Sequence, residues 1–177
     1  MAKGIKDEGT VPSMRLRVML AGLVLGLASM FATVAGAWAV TPVKIAGSTQ
    51  GNDPIADCGT FEVWDEFTLN FRGAEHYDQD GNLVRVVEHV WGVDRLYNHD
   101  TGKSLPESSF SQGETVDLVA GQVRVGGIVF RVTVPGSGAV FLDVGRFIID
   151  FDEGLVFLKG RHQFFEGDLE GLCAALS

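Results

Sequence analysis

The amino-acid sequence predicts an all-β fold: an antiparallel up-and-down small barrel, or a strongly rolled sheet, of seven or eight strands with a short C-terminal helix. Apolar and polar residues alternate with period two over long stretches, as they do in half-buried strands. Short turns rich in Gly, Asp and Asn separate these stretches. No helical pattern lies between two strands, which excludes parallel crossovers. A two-sheet sandwich is the alternative architecture.

The first strong strand pattern begins after Gly59. Polar and charged residues occupy one face of this strand, and apolar residues occupy the other: Phe61, Val63, Phe67, Leu69 and Phe71. A turn cluster at residues 78–82 and a β-rich segment at 83–97 follow, and this order predicts a hairpin.

The second half of the chain predicts the remaining strands. After a turn at residues 98–103, a weaker strand pair is expected, which Pro106 and a Ser-rich stretch up to Gly113 interrupt. Gly126 and Gly127 lie inside a long strand, where paired glycines predict a bulge or a sharp bend of the kind that barrels need. The later elements are strands at 115–119, 122–134, 139–151 and 155–165, and a helix at 168–176 with Asp168 as its N-cap or as an acidic residue of its first turn.

The N-terminal region has the pattern of a secretory signal peptide. Arg15 and Arg17 precede an apolar run, which ends in Ala37-Trp38-Ala39 with small residues at the −3 and −1 positions of a cleavage site. We expect residues 1–39 to be a cleaved signal peptide, and the protein to be secreted and extracellular. An uncleaved N-terminal helix that anchors the protein in a membrane is the alternative, because residues 18–39 carry no charge. No stable membrane insertion is expected after cleavage.

Two further segments follow the predicted signal peptide. Residues 40–57 contain little that can be buried, so they are expected to form a flexible leader. Residues 58–177 are expected to form the β-barrel-like domain. From Val40 onward the chain has 10 Lys and Arg against 21 Asp and Glu, a net charge of −11. Such an acidic chain repels phosphate backbones, so nucleic acid is not an expected partner.

The two cysteines, Cys58 and Cys173, are expected to form one disulfide, because an even number of cysteines in an exported chain favours pairing. A redox or nucleophilic thiol pair is the alternative, but neither residue lies in a Cys-x-x-Cys spacing. The bridge would tie the start of the domain to its C-terminal segment.

Six polar residues lie in or beside apolar strand patterns and are the candidate ligand-binding residues. Asp65 is in phase with the apolar face of the first strand, where an unpaired carboxylate requires a partner or a raised pKa. The other candidates lie in the second strand and the last hairpin: Glu88, His89, Asp143, Arg146 and His162. In a barrel lumen they would form a ligand-orienting or acid–base site. The alternative is that each faces solvent or belongs to a structural network.

No cofactor is predicted, and no metal site. The four histidines are scattered over different elements, and the turn at residues 78–82 lacks the acidic ligand that a calcium loop requires. The abundance of Phe suits either an apolar pocket or a filled core.

Several segments together are similar to a group of small secreted proteins common in actinobacteria. The similarity is carried by residues 80–82, 98–104, 127–136, 142–146 and 164–175, and it extends over about residues 58–175. It implies export, but it transfers no catalytic or binding residue to this chain.

Three functions are compatible with these patterns. The leading hypothesis is the binding of a small apolar or amphipathic molecule inside the barrel. The second is a lyase or isomerase that uses Asp65, Glu88 or His89 as acid or base. The third is a structural or partner-binding extracellular domain without a pocket, which predicts an exposed apolar patch. The oligomeric state is left open.

Overall fold

The computed structural model describes residues 40–177, which form one antiparallel sheet and two short helices. The predicted signal peptide and the alternative membrane anchor lie outside these residues. The strands are β1 (Val43–Asp57), β2 (Glu62–Tyr77), β3 (Leu83–Asn98), β4 (Ser108–Asp117), β5 (Gln122–Val134), β6 (Gly138–Asp150) and β7 (Gly154–His162). The helices are α1 (Gln163–Glu166) and α2 (Glu170–Leu176).

The seven strands follow one another in the sheet in chain order, and each pairs antiparallel with the next. The predicted all-β, up-and-down architecture is therefore confirmed, and the sandwich alternative is wrong because there is one sheet. Within residues 40–177, β1 and β7 form the two edges of the sheet and do not pair with each other. The sheet is thus not closed into a barrel.

The two faces of the sheet differ in burial. We call the face that carries Val63, Val86, Val123 and Ile149 the inner face, because these side chains are at most 6% exposed. The opposite face is the outer face. Since paired residues in an antiparallel sheet lie on the same face, the register assigns every strand residue to one of the two.

A core cluster lies at the end of the sheet where β1 ends and β2 begins. It gathers apolar residues from β1, β2, β3, β5 and β6 around the C-terminal helix: Ile55, Ala56, Val63, Leu96, Leu105, Phe130, Val132, Phe141, Leu172 and Leu176. The buried amide of Asn98 donates a hydrogen bond to the carbonyl oxygen of Leu176 at 3.2 Å, which fixes α2 against β3.

A disulfide joins Cys58, just after β1, to Cys173 in α2. The two Cα atoms are 5.7 Å apart, and 115 positions separate the residues in sequence. The predicted pairing is confirmed, and it fastens the C-terminal helix over the core cluster.

The expected flexible leader at residues 40–57 is wrong, because most of it forms β1. Its backbone pairs with β2 along nearly its whole length. Gly47 and Gly51 leave room for the rings of Phe71 and Phe67, which occupy the space where a Cβ atom would lie. Pro54 is tolerated since β1 is an edge strand with an irregularity at that point.

Two further elements differ from the predictions. The expected weak strand pair before Gly113 is absent: one continuous strand, β4, runs through that glycine, and Ser104 makes only an isolated bridge with Tyr97. At the C-terminus, α1 replaces the end of the predicted last strand. Asp168 does not cap α2, whose N-cap is Leu169; its carboxylate instead accepts a hydrogen bond from the Gln163 amide at 2.9 Å.

Three glycines, Gly127, Gly145 and Gly160, lie side by side on β5, β6 and β7. Their φ values of 145°, 151° and 134° belong to a region that side-chain-bearing residues rarely enter. We call them the glycine row. The His162 ring lies over this row, with Nε2 only 2.6 Å from the position of a Cβ on Gly145. The backbone conformation of the row and the position of the His162 ring therefore both depend on the absence of side chains.

We expect the double substitution of Cys58→Ala and Cys173→Ala to lower the free energy of unfolding by about 2–5 kcal/mol, because the bridge restrains a long loop of the unfolded chain. Guanidinium chloride unfolding followed by circular dichroism measures this change. Reduction of the unmodified protein should shift the midpoint equally; unchanged midpoints in both experiments would contradict a stabilising bridge.

We expect Gly145→Ala to lower the free energy of unfolding by about 2 kcal/mol or more, because the substitution strains the backbone and collides with Lys159 and His162. Gly113→Ala is the matched control in β4, since the nearest atom to its new Cβ would be 3.9 Å away. Its effect should stay within about 1 kcal/mol. Equal losses in the two variants would show that the backbone conformation of the glycine row does not require glycine.

Candidate ligand-binding site

Basic side chains of the strands are confined to one face of the sheet, whereas acidic side chains occur on both faces. Every Lys and Arg within the seven strands lies on the outer face: Lys44, Arg72, Arg85, Arg95, Arg124, Arg131, Arg146, Lys159 and Arg161. The inner face carries seven acidic residues: Asp53, Asp65, Glu75, Glu88, Asp94, Glu114 and Asp143. Within the described strands, the inner face is therefore acidic and holds no Lys or Arg.

The predicted candidate Asp65 lies in a buried acidic group. Asp65 on β2 and Asp94 on β3 are diagonal neighbours on the inner face, and Ser108 on β4 lies directly opposite Asp94. The two carboxyl-bearing residues are only 6% and 4% exposed. In this group Asp65 Oδ1, Asp94 Oδ2 and Ser108 Oγ are buried without a hydrogen-bond partner. Unsatisfied buried oxygens are costly and rare, so this group is the candidate site on the inner face.

Burial also changes the charge of this group. Burial and, to a smaller extent, the nearby Asp53 carboxylate together raise the pKa of Asp65 to about 7. Burial raises the pKa of Asp94 to about 8, with an added contribution from the charge of Asp65. Near neutral pH the pair therefore carries less than its full negative charge, and it accepts or releases a proton readily.

A second acidic group lies further along the inner face. Glu88 on β3 and Glu114 on β4 are directly opposite each other. Burial raises the pKa of Glu114 to about 7, the hydrogen bond from the Gln112 amide lowers it, and the Glu88 carboxylate raises it. Burial also raises the pKa of Glu88. Gln112 donates to Glu114 at 2.5 Å, while its own side-chain oxygen has no partner.

Apolar side chains on β2 lie next to the acidic groups. Phe67, Leu69 and Phe71 continue the inner face from Asp65, and each is half-buried rather than sealed. Phe67 lies directly opposite Asp94. This part of the inner face thus combines carboxyl oxygens with an accessible apolar surface, which is the combination that an amphipathic ligand requires.

Asp143 and His162, both predicted candidates, are brought together but sealed from solvent. Each is 0% exposed, and His162 Nδ1 lies 2.7 Å from Asp143 Oδ1. The other carboxyl oxygen of Asp143 accepts a hydrogen bond from the backbone amide of Phe164 at 2.8 Å. Burial raises the pKa of Asp143, whereas these two hydrogen bonds lower it. With its partners satisfied, the pair fastens β6 to β7 and α1 beside the glycine row.

His89 and Arg146, the remaining candidates, lie on the outer face and are exposed. His89 Nε2 is 3.0 Å from Ser111 Oγ, and its ring stacks on Trp91 at a centroid distance of 5.2 Å. His89 therefore does not join its neighbour Glu88, which points to the inner face. The six candidates are thus distributed over four separate places: two acidic groups on the inner face, the sealed Asp143–His162 pair, and the outer face.

Sequence reasoning missed Asp94, Ser108, Gln112 and Glu114. Asp94 is in phase with the buried residues Val90 and Leu96, and this alternation was a sufficient signal. The other three lie in the Ser-rich stretch, whose polar composition concealed a continuous strand.

Residues 40–177 contain neither a cluster of metal-binding side chains nor a helix that could span a membrane. No group of three or more His, Cys, Asp or Glu side chains in this range is placed to hold a metal ion. No helix in the same range is long and apolar enough to cross a membrane.

Comparison with known proteins does not assign the chain to a family. No protein-family model matches the chain, and no curated protein and no solved structure matches it.

We expect the folded protein to lose stability as the pH rises from about 4 to about 8. Burial favours the protonated forms of Asp65, Asp94 and Glu114, so the folded state binds more protons than the unfolded chain over this interval. Their contribution is complete below the unfolded-state pKa of about 4, and it is lost as the pH passes their folded-state pKa values of about 7 to 8. Differential scanning calorimetry at a series of pH values measures the trend.

Asp94→Asn should flatten this pH dependence, because the neutral amide resembles the protonated carboxyl group. Asp152→Asn, at an exposed turn position, is the matched control and should leave the slope unchanged. Identical slopes for Asp94→Asn and the unmodified protein would contradict the protonated state of Asp94.

Proposed function

We propose that this protein binds a small amphipathic molecule on the inner face of its sheet, with a protonated amine of the ligand held by Asp65 and Asp94. The observation that carries the proposal is the set of unpartnered buried oxygens on Asp65, Asp94 and Ser108. A primary ammonium group donates three hydrogen bonds and carries the charge that complements carboxylates. Phe67, Leu69 and Phe71 then contact the apolar part of the ligand.

The absence of basic side chains from the described inner face supports a cationic rather than an anionic ligand. A carboxylate or phosphate group would enter a surface that already carries seven acidic residues, which is electrostatically unfavourable. A cation would instead favour the ionised forms of Asp65 and Asp94 and offset the cost of burying their charge.

Acid–base catalysis receives less support. The pKa values near neutrality suit proton transfer, but the expected partner His89 lies on the opposite face of the sheet from Asp65 and Glu88. The His162–Asp143 pair is closed to solvent. Binding therefore remains the function that these contacts favour.

The proposed place of action is outside the cytoplasm. The Cys58–Cys173 disulfide suits an oxidising environment, which agrees with the export that the N-terminal sequence pattern predicts. Secretion remains part of the proposal.

We expect octylammonium to bind more tightly than 1-octanol or octanoate, which have the same chain length with a neutral and an anionic head. Its affinity should rise from pH 6 to pH 9, because Asp65 and Asp94 lose their protons in this range while the amine stays charged. Isothermal titration calorimetry measures the affinities. Equal affinities for all three molecules would contradict the proposed role of the carboxyl groups.

Asp65→Asn and Asp94→Asn should each weaken octylammonium binding about tenfold, which corresponds to the loss of one charge-assisted hydrogen bond. Asp152→Asn is the control for a general change in net charge. If the control loses as much affinity as the two inner-face variants, the site does not lie at Asp65 and Asp94.

A further inference from the structure

The outer face carries a line of basic side chains that the proposed function does not use. The strand register places six residues side by side across β2 to β7, and we call them the basic row: Arg72, His89, Gly113, Gly126, Arg146 and Lys159. The four members with charged or titratable side chains are all exposed. Five strand spacings of about 4.8 Å give the row a length of about 24 Å.

In the middle of the basic row, two glycines leave the backbone uncovered by side chains. Gly113 and Gly126 are paired, and a Cβ on either would meet no atom closer than 3.4 Å. A shallow depression of about 450 Å³ includes both glycines, and its lining also includes Arg124, Arg146 and Phe157. A second depression of about 590 Å³ is lined by Lys44, Arg72 and His89, among others. The row thus passes through two adjacent hollows.

The cations of the basic row have no carboxylate partner within residues 40–177. Arg95, which lies on the outer face away from the row, forms an ion pair with Glu66. In contrast, no ion pair of the described residues involves Arg72, Arg146 or Lys159. Their charge is therefore available to a ligand, even though the chain as a whole is acidic.

An aromatic surface adjoins one end of the row. Trp91 stacks against His89, and the Arg72 guanidinium lies 5.7 Å from the Trp91 ring centroid. A partly exposed Trp offers a flat apolar face with a polar edge. Such a face suits the apolar side of a sugar ring, and the cations beside it suit acidic substituents.

We propose that the basic row binds an extended anionic polysaccharide. The length and shallowness of the row fit a linear chain that lies across the strands. Low charge density in the ligand is important, because the protein is acidic overall. Duplex DNA carries one charge per about 1.7 Å of axis and is repelled strongly, whereas a polysaccharide with one carboxylate per sugar experiences much less repulsion for the same local contacts.

Fluorescence polarisation with labelled oligogalacturonate tests the proposal on the full chain with its disulfide intact. We expect binding at 50 mM NaCl that weakens at 300 mM NaCl, since exposed charges are screened. The double variant of Arg146→Gln with Lys159→Gln should bind at least tenfold more weakly. Arg72→Gln tests the other end of the row and should also weaken binding.

Arg95→Gln is the matched control, because it removes an outer-face cation that lies outside the row. Its affinity should stay within twofold of the unmodified protein, and neutral dextran oligomers should not bind. Binding of an oligothymidylate or of phosphatidylglycerol vesicles in place of oligogalacturonate would overturn the polysaccharide assignment. Absence of binding to every probe, or an equal loss in Arg95→Gln and the double variant, would overturn the site itself.

Discussion

The in-register alternation of seven antiparallel strands is the constraint on which the rest of the structure depends. Because each strand pairs with its neighbour in chain order, one choice of register determines the face of every side chain. A shift by one residue in β3, for example, would move Glu88 and Asp94 to the outer face and bring Arg85 and Arg95 to the inner face. The separation of charge across the sheet is thus a property of the register as a whole, and no single residue creates it.

A strand could be predicted from the sequence where its own residues alternate between apolar and polar. β2, β5 and β6 alternate clearly, and their predicted positions agree closely with the structure. β1 could not be predicted in the same way, because its stability comes from pairing with β2 and from Phe67 and Phe71 over its glycines. Closure into a barrel was expected because it removes exposed edges, yet both edges remain unpaired in the described residues.

Residues of the candidate site could be predicted only where the alternation of apolar and polar residues within a single strand identifies them. Asp65 was found because it interrupts an apolar face, and Asp94 has the same signature in the next strand. The pairing of Asp143 with His162 depends on the register of two strands, which a single sequence does not reveal. Opposite faces separate His89 from Glu88, although the two are adjacent in the chain.

The position of the disulfide has a consequence for the order of folding. Strands that are neighbours in the chain can pair as soon as both are available, so the sheet can grow hairpin by hairpin with little loss of chain entropy. Cys58 can form the bridge only after Cys173, which lies 115 positions further along the chain, has been synthesised. Oxidation is therefore a late step that locks an assembled sheet, and a chain truncated before its C-terminal helix would retain its hairpins while leaving one thiol reactive.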